Sequence, residues 1–360
     1  MRNSRWLFLI ALNVAGLFAL THAENSVRWV IQDASHLPDP EITASAMDDQ
    51  GNKWFGTHKG LASLSKFGEW HTFTMDKTAG ALKSNNISAL AMGENRELWI
   101  ATEGGGVSRF VGGVWKTYTT ENTSGGLPDN HVSCMAIGKE EKWFGTHNGF
   151  ALLRGGVWTT FNGDRVSGRL PQKAVTAFAL DSNGDKWIGT IAGLVKYSGS
   201  SWTLFTKEST QGLLPHNSIT YITIGPKGEK WVGTQVGLAR LAGNKWTSFK
   251  DDPALGVMNA ELVYYLTFEK SGALWAAIKG GAARFDGSVG ASAGAAASAA
   301  ADAGVWTLYT KSNTPFISNE SITGIKIGPV YSVLSVDVGD VWFGTQKGIM
   351  QMAPTTDDSN

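Results

Sequence analysis

Seven copies of a short Trp-x-(Gly/Ala) stretch constrain this chain more than anything else in it. At its plainest the stretch reads Lys142-Trp143-Phe144-Gly145-Thr146, and the copies begin at Trp54, Trp99, Trp143, Trp187, Trp231, Trp275 and Trp342. The intervals are 45, 44, 44, 44, 44 and 67 residues. A looser set follows them at Trp70, Trp115, Trp158, Trp202, Trp246 and Trp306, each trailed by an aromatic two or three residues on. A period of this length, carrying several short strands per unit, predicts a β-propeller, in which each unit buries its faces against the next.

Laid over one another, the repeats define a four-stranded unit. An inner strand comes first: Ile42 to Met47, Ile87 to Met92, Val132 to Ile137, Val175 to Leu180, Ile219 to Ile224, Leu262 to Phe268 and Ile322 to Ile327. These runs lack clean polar alternation, as expected of strands covered on both faces. A tight turn such as Asp181-Ser182-Asn183-Gly184-Asp185 leads to the Trp strand, since Gly accepts the positive φ that the hairpin needs. A third strand opens on Gly (Gly60, Gly193, Gly237), and a fourth carries the second Trp. The seventh unit has no fourth strand after it, whereas Val27-Arg28-Trp29-Val30-Ile31 stands unclaimed near the start. The expectation is therefore an all-β, seven-bladed β-propeller of four-stranded antiparallel blades, with the N-terminal strand completing blade 7 and removing an open edge. With Trp29, each Trp set has seven members, and Trp6 accounts for the last of the 15 tryptophans.

Residues 1–23 read as a signal peptide: Arg2 and Arg5, an apolar run from Trp6 to Leu20, then Thr21-His22-Ala23. That run is short for a spanning helix, which needs about 20 residues, although an uncleaved anchor is the alternative. The expected organisation is a propeller over 24–353, interrupted in blade 6 by an Ala/Gly/Ser-rich loop at 287–304, with a disordered tail at 354–360. The expected location is periplasmic or secreted. Lys and Arg number 31 and Asp and Glu 31, so no electrostatic case exists for a nucleic-acid partner. Cys134 is the only cysteine, so packing rather than disulfides must hold the fold. It stands in an apolar strand and reads as a small buried hydrophobe.

The sameness of the Trp-x-Gly-Thr stretch across blades assigns it to packing rather than to an aromatic ladder for sugars. The ring fills the wedge between blades, and the Gly lets the neighbouring blade approach. Blades 2 and 6 depart, with Ala101 and Ala277 in place of Gly and Ile278 in place of Thr; blade 6 is expected to be the least regular.

The unit Asp-x-x-Gly-x-x-Trp-x-Gly-Thr-x-x-Gly-Leu, best matched by Asp181 to Leu194, with Trp115 to Thr119 and Leu127-Pro128-Asp129-Asn130-His131-Val132, resembles the two-component regulator propeller repeat. The resemblance covers residues 27–353. It implies a periplasmic, sensor-type propeller; in that family such propellers precede a β-sandwich, a membrane span and a kinase, and often respond to glycans. None of those output elements is encoded here, so the expectation is a recognition module without its own output.

Function is then sought where the repeats disagree, at the mouth of the axial channel. Candidate ligand-binding residues before the inner strands are Asn86, Asn130, His131, Asn217 and Glu320, with Glu41, Asn85, Lys173, His216 and Glu261 as wider members. In the turns after the Trp strands they are His58, Glu103, His147, Gln235 and Gln346, with Lys59, Asn148, Lys279 and Lys347. No catalytic residue, metal site or cofactor is expected. Asp181-x-Asn183-Gly184-Asp185 lacks the downstream Glu of a calcium loop, and His58 and His147 lie two blades apart. The expected partner is a protein or a glycan-like ligand, with no membrane span after signal removal and a monomeric state. Two alternatives remain: a lyase or hydrolase using His131 with Glu103 or His147, as in propeller lyases acting on cyclic peptide antibiotics, and a structural part of an envelope assembly.

Overall fold

A computed structural model describes residues 27–163, 166–249, 262–287, 304–310, 330–337 and 340–354. The expected signal peptide, most of the blade 6 insertion, Glu261, Glu320, the run Ile322 to Ile327 and the tail beyond 354 lie outside these residues.

Seven four-stranded antiparallel sheets follow one another around a ring. Their inner strands are Ile42–Met47, Ile87–Met92, Val132–Ile137, Val175–Leu180, Ile219–Ile224, Val263–Phe268 and Val330–Asp337, each packed on the next, and the last on the first. The second strands carry the repeated Trp, all seven of them buried. Five rings reach an aromatic of the following blade within 5.7 Å: Trp54 to Phe110, Trp99 to Phe144, Trp143 to Phe178, Trp231 to Phe285 and Trp275 to Phe343. Burying ~150–250 Å² per ring at about 25 cal/mol/Å² gives roughly 4–6 kcal/mol gross for each, which makes these rings the substitute for disulfides.

The Gly two places on does what the packing argument requires. A Cβ on Gly56 would lie 2.6 Å from Ile87 Cγ2, on Gly189 2.7 Å from Ile219 Cγ2, and on Gly233 2.8 Å from Val263 Cγ1. In each case the obstacle is the first inner-strand residue of the next blade. The Thr brackets the turn that follows: Thr57, Thr146, Thr190, Thr234 and Thr345 each donate to the carbonyl of the Gly three residues on, at 2.8–3.0 Å.

Two features were not foreseen. Every inner strand is bulged between its first and third residues, which releases the second residue from the ladder. In blades 1–5 that residue is Thr43, Ser88, Ser133, Thr176 or Thr220, and its hydroxyl donates to the first carbonyl of the next inner strand: Ile87 (2.6 Å), Val132, Val175, Ile219 (2.6 Å) and Val263. These bonds join blades where no ladder does.

The other concerns blade 7, whose inner strand is Val330–Asp337 rather than the expected Ile322–Ile327. It alone has eight residues and a second register shift, between Ser335 and Asp337. Irregularity therefore sits in blade 7, and blade 6 keeps the common pairing, with Ala277 and Ile278 fully buried. The clasp is as expected: Val27–Ile31 pairs antiparallel with Gly348–Pro354, placing Trp29 opposite Met352. The Trp29 ring packs 5.8 Å from Phe343 and 5.9 Å from Tyr309.

Candidate functional site

In blades 2, 3, 5 and 6 the residue before the inner strand and the first residue of the turn after the Trp strand lie side by side, because a backbone bond ties them. Glu103 N–H donates to Asn86 O at 2.9 Å, His147 to His131 O at 3.1 Å, and Gln235 to Ser218 O at 3.1 Å. Chain direction places both at the same end of the channel, so the repeats build a rim of paired positions there.

Blades 1 to 3 fill that rim with ionisable side chains in contact. His58 Nδ1 lies 2.8 Å from Asn86 Oδ1, and its Nε2 3.8 Å from Glu41 Oε1. Blade 2 has the longer turn, Glu103-Gly104-Gly105-Gly106, and both Gly104 and Gly106 donate to Asn130 O. That turn brings Glu103 Oε2 to 3.9 Å from His147 Nε2. The His147 ring stacks on His131, centroids 5.3 Å apart and planes 6° off parallel. His131 Nδ1 is 2.9 Å from Asp129 Oδ1, which also accepts the His131 backbone N–H at 2.8 Å. Partial burial pushes the Asp129 carboxyl upward, but the His131 backbone and ring donations outweigh it and hold the group below the usual carboxylate range. An ionised Asp129 only accepts, so His131 carries its proton on Nδ1 and turns Nε2 outward as an acceptor when the ring is neutral. Both imidazoles are about half exposed, at 52% and 50% of the side chain.

The structure brings His58, Asn86, Glu103, His131 and His147 into one arc. Gln235 and Gln346 stand exposed on the same rim in blades 5 and 7, apart from the arc. Blade 4 contributes no ionisable group at these two positions: it presents Ala174 and Ile191, the latter 55% exposed. Asn130 and Asn217 do different work. Their amide oxygens accept Thr120 N–H at 2.8 Å and Lys207 N–H at 2.6 Å, closing the loops that carry them, as Asn85 does for Met75. Among the wider candidates, His216 Nδ1 accepts Ser218 N–H at 3.0 Å.

Sequence reasoning passed over Asp129 and its counterpart Asp39, which accepts Glu41 N–H at 3.0 Å and pairs with Lys59 at 2.6 Å. The signal was present in Leu37-Pro38-Asp39 and Leu127-Pro128-Asp129. The Asp181 turn is a hairpin whose carboxylates pair with lysines, Asp181 with Lys230 and Asp185 with Lys196. Among the described residues no cluster of three metal-ligating side chains occurs.

Below the rim lies a channel cavity of about 180 Å³. Its upper wall is the Ser/Thr collar described above; deeper come Ala44, Ala89, Cys134, Ala177, Tyr221 and Tyr265, and then Ser45, Leu90, Met135, Phe178 and Ile222. Tyr221 and Tyr265 pack with centroids 4.4 Å apart, and burial raises both phenols, Tyr221 well above its usual value. Cys134 faces this channel rather than bulk solvent, and desolvation pushes its thiol up to about 12, so it is an inert lining group.

No family model matches the chain, and no curated protein sequence does. Among solved structures it is similar to the extracellular domain of a hybrid two component system from B. thetaiotaomicron, at 20% identity and a TM-score of 0.69, over 91% of this chain and 41% of that one. It is similar to virginiamycin B lyase from Staphylococcus aureus, at 15% identity and a TM-score of 0.64, over 91% and 99%. It is also similar to PorZ, a surface component of the type-IX secretion system of Porphyromonas gingivalis, at 14% identity and a TM-score of 0.63, over 89% and 48%. The chain thus spans well under half of the first of these. At such identities the likeness is one of fold, and the fold is shared here by a two component system domain, a lyase and a secretion-system component.

Proposed function

We propose that this chain is an exported, non-catalytic recognition module that binds a protein partner or a glycan-like ligand at the rim of its channel. The observation that carries the reading is the convergence of Glu103, His147, His131 and Asp129 from two blades onto one exposed arc. The packing of the fold has no need of these side chains, and together they offer donors, acceptors and a flat imidazole surface. The extracellular setting of two of the similar proteins supports export to the periplasm or beyond. No helix among the described residues is long and apolar enough to cross a membrane.

The test is affinity capture from bacterial envelope extracts with wild-type protein, a His131→Ala/Glu103→Ala variant, and an Arg96→Ala variant outside the rim arc. The reading requires a partner retained by wild type and Arg96→Ala but lost from the double variant. Equal retention by all three would sink it. Light scattering during size exclusion checks the monomeric state.

One observation favours a second reading, a lyase. The Asp129-oriented His131 and the adjacent Glu103–His147 pair place a general base and an acid within a few ångströms of each other. Incubation with virginiamycin B, followed by reversed-phase chromatography with tandem mass spectrometry, separates the two readings: ring opening by elimination gives an isomer of unchanged mass but new retention and fragmentation, whereas recognition alone leaves the compound as it was.

A further inference from the structure

From the rim inward, strand order sets three levels about 3.3 Å apart per residue. The collar hydroxyls of Thr43, Ser88, Ser133, Thr176 and Thr220 have each spent their proton on a backbone carbonyl of the next blade. A hydroxyl has one donor and two lone pairs, so what the collar has left to offer a guest is acceptors. The floor is apolar on blades 2 to 5, at Leu90, Met135, Phe178 and Ile222, but on blade 1 it carries Ser45. Ser45 is 4% exposed, lines the cavity, and its Oγ has no hydrogen-bond partner among the described residues. A buried hydroxyl left unmatched costs free energy and marks a position that an outside group can satisfy. Among the described residues no charged side chain lines the cavity, so a charged guest would lose its hydration there without compensation from them.

We propose that this neck is a binding subsite for a small uncharged polyol, which supplies hydroxyl donors to the collar and reaches Ser45 with one end. It rests on the reading of the rim as the ligand-binding face, through which the guest enters. The space of about 180 Å³ equals about six waters at ~30 Å³ each, enough for a four-carbon polyol in their place.

The probe is erythritol, with tartrate as a control that keeps the four-carbon skeleton and adds charge. Titration calorimetry and ligand-observed NMR are expected to give saturable one-to-one binding of erythritol and none of tartrate. Ser45→Ala removes an unmatched hydroxyl, so the melting temperature holds or rises, while erythritol affinity falls about three- to tenfold, the worth of one neutral hydrogen bond. Ser88→Ala, checked for folding by circular dichroism, gives a similar loss. The Arg96→Ala variant, outside both the rim arc and the neck, leaves erythritol binding unchanged. Absence of saturable binding, equal binding of tartrate, or an unaltered affinity in Ser45→Ala would overturn the proposal. If envelope capture at the rim succeeds while erythritol fails, the subsite falls and the recognition reading stands.

Discussion

Gly145→Ala is the sharpest test of the packing logic. A Cβ there would stand inside van der Waals contact of Cys134 Sγ and 2.7 Å from Val175 Cγ1. Neither neighbour can move away easily, because Cys134 is paired with Gly145 in the bulged ladder and Val175 heads the next inner strand. Overpacking of this kind costs about 1–3 kcal/mol. Blade 2 shows how the chain itself accommodates the extra methyl: its equivalent pair is Ala89 opposite Ala101. The two pairs hold the same number of side-chain heavy atoms, Cys plus Gly in one and Ala plus Ala in the other. Cys134→Ala/Gly145→Ala should therefore recover most of the loss, with a coupling of about −1 to −2 kcal/mol in a double-mutant cycle. Urea unfolding of the four proteins under reducing conditions measures it. Additive effects, or a Gly145→Ala variant as stable as wild type, would refute the claim that Sγ is the obstacle.

Three further outcomes are expected. Trp29→Ala removes a half-buried ring from the blade 7 clasp and should cost about 2–3 kcal/mol, below the 3–5 of a fully buried ring, read as a lower urea midpoint. Burial pushes Glu269 upward, but Arg284, Ser271 and the Trp275 indole outweigh it, so its carboxyl sits below the usual range. A depressed carboxyl contributes stability above its unfolded value, near pH 4.3, and that contribution fades as pH falls through the folded value. Glu269→Gln should accordingly lose about 3 kcal/mol at neutral pH, from an Arg284 left without its main partner, and show a flatter decline in midpoint below pH 4. Cys134, its thiol raised to about 12, should resist aromatic disulfide reagents at pH 8 in the folded protein and react at once in urea; fast labelling of the folded protein would contradict its placement in the channel.

Much of this architecture was legible because packing imposes the same residue on every blade. Trp and Gly recur since each blade meets its neighbour in one way, and the missing fourth strand pointed directly to Trp29. The bulge was not legible: Thr43 and Ser88 look like ordinary strand residues until the carbonyl of the next blade is seen in front of them. Blade 7 misled because Ile322 to Ile327 is a short run opening and closing on Ile, as Ile219 to Ile224 does. The spacing held the warning, since 15 residues separate Ile327 from Trp342 whereas 6 separate Ile137 from Trp143. At the rim, His58, Glu103, His131 and His147 stood out as differences between repeats. Asn130 and Asn217 were selected for the same exposed position, although a loop that must close on its own backbone also selects Asn. Sequence does not separate the two uses.

The clasp also gives the ring a seam. The other junctions join blades adjacent along the chain, 44 or 45 residues apart in five cases and 67 between blades 6 and 7, whereas Trp29 and Met352 meet across 323 residues. Closing the longer loop costs about 2 kcal/mol more by the logarithmic dependence on length. Opening should therefore begin at blade 7, with six blades still stacked in an arc. A circular permutant that fuses the clasp strand in sequence behind Gly348–Pro354, with new ends cut at the Gly112-Gly113 turn, would move the seam to blade 2. The site of first unfolding should move with it, and the rim arc on blades 1 to 3, which borders the native seam at blade 1, would then straddle the weakest joint.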